Sequence, residues 1–306
     1  MQRHKGSQKG AKNGTCIFRS RQFGARSCQF NYFYKMMDIK KNKPFIFLLF
    51  CFSFILKGQE ADVSDPVENI VPFKAGEWFG FRIHYGIFNA SYATLSLTQD
   101  TINGISVIHA KGYGKTTGLA RWFFKVEDHY DSFFDEKKII PYHFIRDIYE
   151  GGYTKDLEID FDHEQQLAHV NNKKHQKKET FKIKKNSQDI LSAFYYLRTF
   201  YPERDMIVGE DFDINMFFDN ENYHFKLKFL GKETLSSKFG KIKCVKFRPV
   251  VQAGRVFKEQ ESVTLWVSDD KNRIPLKVKA DLAIGSLEID LENFKNVKFP
   301  FNLLVD

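Results

Sequence analysis

Cysteine is scarce where it would matter. Three of the four, Cys16, Cys28 and Cys51, fall within the first 58 of 306 positions, so Cys244 stands alone in everything that follows. One thiol cannot form an internal disulfide, and it cannot supply a zinc-ribbon or iron–sulfur ligand set. Acid is nearly missing from the opening stretch. Twelve of the 47 basic residues lie there against a single carboxylate, Asp38, out of 38. The formal charge of +9 therefore belongs to the opening, and positions 59–306, with 35 bases against 37 acids, sum to −2. This argues against nucleic acid as a partner of the body of the chain. Long apolar runs are missing too: the run from Pro44 to Leu56 has about 13 positions, too few to span a bilayer as a helix, and no transmembrane span is expected after it. With 42% hydrophobic and 28% charged residues, the composition describes a globular domain and excludes collagen-like, largely disordered and polytopic membrane chains.

That apolar run follows Lys40-Lys41-Asn42-Lys43 and exits at Lys57-Gly58. A basic start, a short apolar core and a small exit residue make residues 36–58 a secretory signal peptide, with Met36 or Met37 as its start. Leu56-Lys57-Gly58 departs from an Ala-x-Ala cleavage site, which leaves an uncleaved anchor as the alternative. Cys51 sits behind bulky Leu49 and Phe50, where a lipobox would have small residues. Residues 1–35, with eight bases, no acid and no hydrophobic period, read as a disordered basic extension upstream of the true start. Residues 59–72 form a polar tether, and 73–306 a single β-rich domain long enough to bury a core without disulfides.

From Glu77 onward the dominant period is two. Ala93, Leu95 and Leu97 alternate with Tyr92, Thr94, Ser96 and Thr98 as a half-buried strand demands. Turn signals recur at Asn103-Gly104, Gly151-Gly152 and Gly240. The sharpest hairpin runs from Asp211 to Leu230, with Phe212, Ile214, Met216 and Phe218 facing Tyr223, Phe225, Leu227 and Phe229 across a loop of Asp219-Asn220-Glu221-Asn222. One segment breaks the pattern. Ile190, Leu191, Phe194, Leu197 and Tyr201 recur at helical spacing, predicting one central amphipathic helix over about 187–201, capped by Asn186 or Ser187 and stopped by Pro202. A short helical turn is expected at Gly118–Phe124. The fold class is thus mainly β: an antiparallel curved sheet or incomplete β-barrel around a central helix.

Chemistry-bearing motifs are few. Gly112 to Gly118 looks like a phosphate loop, but His109 stands where the first glycine belongs, and a glycine-rich turn is expected instead. His163, His169 and His175 are separated by turns and do not suggest a metal site. Asp160 to Glu164 begins like an EF-hand but has Gln165 and Asn171 at the positions that need Gly and Glu. No Gly-x-Ser-x-Gly elbow exists, and Cys244 lies in the expected strand Lys241–Val250, where it reads as structural. Carboxylate pairs (Glu127 with Asp128, Asp131 with Asp135, Asp269 with Asp270) leave an envelope hydrolase as the alternative to a binding module. The lysines at 173, 174, 177, 178, 182, 184 and 185 read as a solvated hairpin edge guarded against aggregation, with a meeting with acidic head groups as the other reading.

An ordered set of segments carries a resemblance. Gly76-Glu77-Trp78 precedes a strand ending at Tyr85-Gly86; Thr117-Gly118-Leu119-Ala120 is followed by Lys125-Val126-Glu127-Asp128 and Tyr130-Asp131-Ser132. Then come Asp189 to Arg198, with Ser192 and Tyr196, and finally Trp266-Val267-Ser268-Asp269-Asp270 with Arg273-Ile274-Pro275 and Gly285-Ser286. Over roughly 73–292 the chain resembles the bacterial exported family known as domain of unknown function 3108. The resemblance implies an envelope protein of antiparallel β structure, exported to the periplasm or the periplasmic face of the outer membrane of a Gram-negative cell. It marks Glu77, Trp78, Tyr85, Gly118, Lys125, Asp128, Ser192, Tyr196, Arg198, Trp266, Asp269, Asp270 and Pro275 as candidate positions. It brings no catalytic residue, no cofactor and no metal. The expected role is non-enzymatic: a curved sheet holding a lipid or other apolar ligand, or a segment of an envelope protein, in an aromatic-lined concavity.

Overall fold

The computed structural model describes residues 71–199, 205–250, 263–282 and 285–303. The expected extension 1–35, signal 36–58 and most of the tether 59–72 lie outside the described residues, as do Tyr201 and Pro202. Fourteen antiparallel strands form one sheet. They are β1 (Trp78–Tyr85), β2 (Phe88–Ile102), β3 (Ile105–Thr116), β4 (Val126–Phe134), β5 (Pro141–Glu150), β6 (Tyr153–Asp162), β7 (Leu167–Asn172) and β8 (Lys177–Lys182), then β9 (Asp211–Phe218), β10 (Glu221–Ser237), β11 (Gly240–Pro249), β12 (Val263–Ser268), β13 (Pro275–Asp281) and β14 (Ser286–Lys295). Two helices interrupt them: α1 (Gly118–Phe123) between β3 and β4, and α2 (Ile190–Thr199) between β8 and β9.

The order is two meanders joined at their ends. β1 to β8 run outward in sequence, β9 to β14 run back, and β1 pairs with β14 in the middle of the sheet. β8 and β9 are therefore the edges, and the sheet curls so that they approach: the Phe217 ring lies 5.8 Å from Phe181 and 6.3 Å from Phe161. Among the described residues no ladder closes the gap. The chain from Lys182 to Gln188 spans it as a strap. Asn222 Nδ2 donates to the Lys182 carbonyl at 2.8 Å, Asn215 Nδ2 to that of Lys185, and Gln188 bridges Met216 in parallel, its N–H reaching the Asn215 carbonyl at 2.8 Å. The strap covers backbone groups that a bare edge would offer to another chain.

The alternation read in the sequence sets the inner face. Leu95 and Leu97 of β2, Phe144 and Ile148 of β5, Ile159 and Phe161 of β6, Ile214 and Met216 of β9 and Phe225, Leu227 and Phe229 of β10 are buried, and most join Leu191, Ala193 and Tyr195 of α2 in one core. The β9–β10 register matches expectation, with Tyr223 opposite Met216 and Phe225 opposite Ile214. Its turn is tighter than expected. Asp219 and Asn220 take positive φ (48° and 67°), as a two-residue type I′ turn requires, and Glu221 and Asn222 belong to β10. Gly112 and Gly114 also depart from the expected turn: both lie inside β3, where their missing side chains make room above the sheet.

Gly151 turns β5 into β6 at φ +57°, and a methyl group there would overlap the Phe124 ring. Gly151→Ala is therefore expected to cost about 1 to 3 kcal/mol in urea unfolding, from overpacking added to backbone strain. An unchanged midpoint would show that the ring moves aside freely.

Candidate binding site

What occupies the concavity is α2, and buried polar contacts fix it there. Asp189 caps it: Oδ1 accepts the N–H groups of Leu191 (2.8 Å) and Ser192 (2.9 Å), and Ser192 Oγ accepts the Asp189 N–H, a reciprocal capping box. Asn186 and Ser187 do not serve as the cap, because Asp189 stands next to the first turn with a better-placed carboxylate. Its Oδ2 accepts the Ser132 hydroxyl of β4 at 2.5 Å, which fastens the helix start to the first meander. Burial pushes the Asp189 carboxyl up to about 6, and these donors hold it from going higher.

The helix end is tied to the middle of the sheet. Arg198 donates from Nη1 and Nη2 to the Glu77 carboxylate at 2.6 and 2.9 Å, and from Nη2 to the Asn272 carbonyl at 2.9 Å. Its guanidinium also lies over the rings of Phe73, Phe79 and Tyr195. Asn272 in turn holds the Phe299 carbonyl, and Arg273 Nη1 donates to the Arg198 carbonyl. Glu77, Ser192 and Arg198 are thus brought together as anchors of one helix. Asp270 supports the same corner by accepting the Asn272 and Arg273 N–H groups and the Ser268 hydroxyl.

Anchored in this way, α2 packs on β3, β4 and β9 and leaves space on its other side. A pocket of about 70 Å³ lies between Phe194 and Leu197 of the helix and Phe212, Leu227, Val245, Phe247, Leu265, Val267 and Pro275 of the second meander, with Arg198 and Arg273 at its margin. Pro275 is the one candidate position besides Arg198 that lines it.

A second, polar chamber lies in the first meander. Asp128 and Glu150, on neighbouring inner faces of β4 and β5, are both buried, and Arg146 beside them donates to Asp219 of the β9–β10 turn at 2.7 Å. Lys155 also bonds to Asp219. Opposite Asp128 stands Gly114, where a Cβ would meet nothing. Asp128 Oδ1 has no hydrogen-bond partner among the described residues. Burial, reinforced by the Glu150 charge, pushes the Asp128 carboxyl up to about 7.

The other candidates are dispersed. Lys125 pairs with Glu127 at 3.2 Å and lies over the Tyr149 ring. Gly118 opens α1 at φ +54°; Tyr85 packs over Gly285; Trp78 lies under the Lys295 ammonium; Trp266 donates to Glu233; Asp269 pairs with Lys232; Tyr196 is half-buried on α2. Neighbouring carboxylates do not share a cleft. Glu127 and Asp128 face opposite sides of β4, Asp131 bonds His109, and Asp135 caps the turn at Lys137 and Lys138. The Cys244 thiol is buried and pushed up to about 12, which removes it as a nucleophile.

Sequence reasoning missed Glu150 and Arg146, whose inward alternation on β5 was legible but whose partner Asp219 lies far along the chain. It also missed His84, Glu288 and Asp290, whose ligand atoms lie within 4.8 Å of one another on adjacent strands. Lys277 and Arg82 already neutralise those carboxylates, Lys277 at 2.5 Å from Glu288, so the group works as an ion-pair ladder on the sheet's surface.

An incomplete antiparallel barrel with a capped helix in its concavity and a small apolar pocket beside that helix defines a β-barrel-like scaffold in form. The chain belongs to the family described as Protein of unknown function (DUF3108), whose model matches residues 80–292. Among curated proteins none matches the chain. Among solved structures, a β-barrel-like protein of domain of unknown function DUF1849 from Brucella abortus is similar at 8% identity and TM-score 0.45, covering 76% of this chain and 100% of its own. A protein of YmcC-like fold from Bacteroides fragilis is similar at 5% identity and TM-score 0.31, covering 75% and 100%. Likenesses at this level establish nothing about activity.

Proposed function

We propose that the protein is an exported, non-enzymatic envelope protein that holds the apolar end of an amphiphile between α2 and strands β9 to β13. The pocket carries this reading: its wall is aliphatic and aromatic apart from Arg198 and Arg273, and it remains beside a helix whose anchors prevent it from collapsing inward. The volume sets the occupant. At about 70 Å³ it is well under the ~150 Å³ cavity that takes benzene, so it receives the last few carbons of an acyl chain while the rest stays outside. The leader's basic start and short apolar core support export. The hydrolase alternative has less support, since the paired acids of the sequence do not converge on this pocket.

Isothermal titration with lauric acid tests the proposal. The unaltered protein is expected to bind, and Leu265→Trp or Val267→Phe, which fill the pocket from β12, to weaken binding at least about tenfold, the effect of losing some 1.4 kcal/mol. Equal affinities in folded variants would sink it.

A further inference from the structure

The second inference concerns the outer surface and does not rest on the pocket. The β1–β2, β5–β6, β7–β8 and β13–β14 turns and α1 all lie at one end of the strands, as the registers require. At that end α1 is anomalous. It contains Leu119, Trp122 and Phe123, yet none of its six residues is buried. Leu119 is 71% and Trp122 88% exposed. The Thr117 N–H bonds the Ala90 carbonyl at 3.0 Å, which sets α1 beside the start of β2, where Ile87 is 92% and Phe88 61% exposed. Four large apolar side chains are thus presented together, and a cluster of this kind marks an interaction surface, whereas a lone exposed side chain would not.

The surrounding charge identifies the occupant. From Lys111 to Val126 the chain holds Lys111, Lys115, Arg121 and Lys125 and no acid, and Glu127 alone pairs with Arg121 and Lys125. The β7–β8 turn brings Lys173 and Lys174 to the same end, followed by Lys177 and Lys178, all exposed, with Lys173 paired to Glu158 and Lys177 to Glu179. The Lys174 ammonium lies over the Tyr153 ring and donates to the Thr154 carbonyl. Trp, Phe and Leu flanked by long cationic side chains suit the boundary between lipid headgroups and acyl chains, where the rings sit at headgroup depth and the ammonium and guanidinium groups meet phosphates. A protein partner would leave the basic rim unexplained unless it were acidic.

We propose that this end seats on an anionic lipid surface, with Ile87, Phe88, Leu119 and Trp122 entering it and Lys115 and Arg121 meeting its headgroups. Lys174 and Lys178, exposed at or next to the β7–β8 turn of the same end, then add to the attraction, Lys173 and Lys177 being paired with carboxylates.

Trp122 provides the probe, since the only other tryptophans are Trp78 and Trp266 and the leader has none. The full chain is mixed with vesicles of phosphatidylglycerol or of phosphatidylcholine whose acyl chains carry bromine, and tryptophan quenching is read. Quenching is expected with phosphatidylglycerol, weaker with phosphatidylcholine, and lost in Trp122→Phe. The double variant Lys115→Glu/Arg121→Glu and the single variant Leu119→Asp are each expected to weaken vesicle binding at least about tenfold, with unchanged thermal unfolding because these side chains are exposed. Absence of quenching, quenching that persists in Trp122→Phe, or equal binding by the charge-reversed variant overturns the proposal. So does a dimer that shields Trp122 without lipid, which would assign the patch to a second copy. Val267→Phe, which fills the pocket, should leave the quenching intact.

Discussion

Arg198→Ala is expected to destabilise the protein by about 3 to 5 kcal/mol, a large part of the stability of a domain this size. The guanidinium is almost wholly buried and meets Glu77 through both terminal nitrogens, so truncation leaves a carboxylate in the interior with no counter-charge. It also frees the Asn272 carbonyl, undoes the stacking on Phe73, Phe79 and Tyr195, and releases the end of α2. Urea unfolding at neutral pH measures the cost. The double variant Glu77→Leu/Arg198→Met separates two explanations. If the loss in the single variant comes from the stranded carboxylate, removing both charges recovers much of it, because apolar replacements of a buried pair are often neutral or better. A single-variant loss below about 1 kcal/mol would show that Glu77 finds water or another donor, and that α2 is held chiefly by its apolar face.

The second expectation concerns pH. Asp128 is buried on the inner face of β4, with Glu150, Arg146, Tyr130, Lys155, Tyr153 and Asp219 around it and Asp147 on the outer side of β5. Its carboxyl is raised from the ordinary 3.8 to about 7, so the folded protein binds this proton more tightly than the unfolded chain does. The stabilisation is complete below the unfolded value, is lost as pH climbs from about 4 to about 7, and stays lost above. Within that window the slope from this group approaches 1.4 kcal/mol per pH unit. Asp189, raised to about 6, works in the same direction and finishes earlier. Asp128→Asn keeps the shape and removes the titration. Its unfolding free energy in urea is therefore expected to exceed that of the parent at pH 8, by on the order of a few kcal/mol, with the gap shrinking as pH falls toward 5. Parallel profiles in the two proteins would mean that water already solvates Asp128 in the space over Gly114.

Local alternation made the architecture legible, and the details that needed distant partners were not. Phe212 to Phe229 show their hairpin in period two, and the structure keeps that register. The loop came out two residues shorter because Glu221 and Asn222 have no apolar signal to mark them as strand. Gly112 and Gly114 misled for a related reason. Glycine usually signals a turn, but here the strand continues through both while Leu191 packs close to the first. The helix was legible from its spacing, its cap was not: Asn186 and Ser187 were the expected caps, and Ser132, on a strand more than fifty positions earlier, favours Asp189 instead. For the candidate site, the apolar lining of β9 to β12 follows from the pattern. The pocket itself depends on the tilt of α2, which the Glu77–Arg198 contact fixes across 121 positions.

The pairing of β1 with β14 has a kinetic meaning. Each of the other twelve ladders joins strands that are neighbours in sequence and can form soon after they are made. The ladder from Trp78 to Lys295 cannot begin until nearly the whole described chain exists, and it must offset the largest loop-closure entropy in the molecule. Until then the two meanders are separate sheets with their β1 and β14 edges unpaired, and the Glu77–Arg198–Asn272 contact, which draws on both ends and the middle of the chain, has no geometry in which to form. The last strand therefore acts as a timer on folding: a nascent chain carries its secondary structure early but acquires its native core late, all at once.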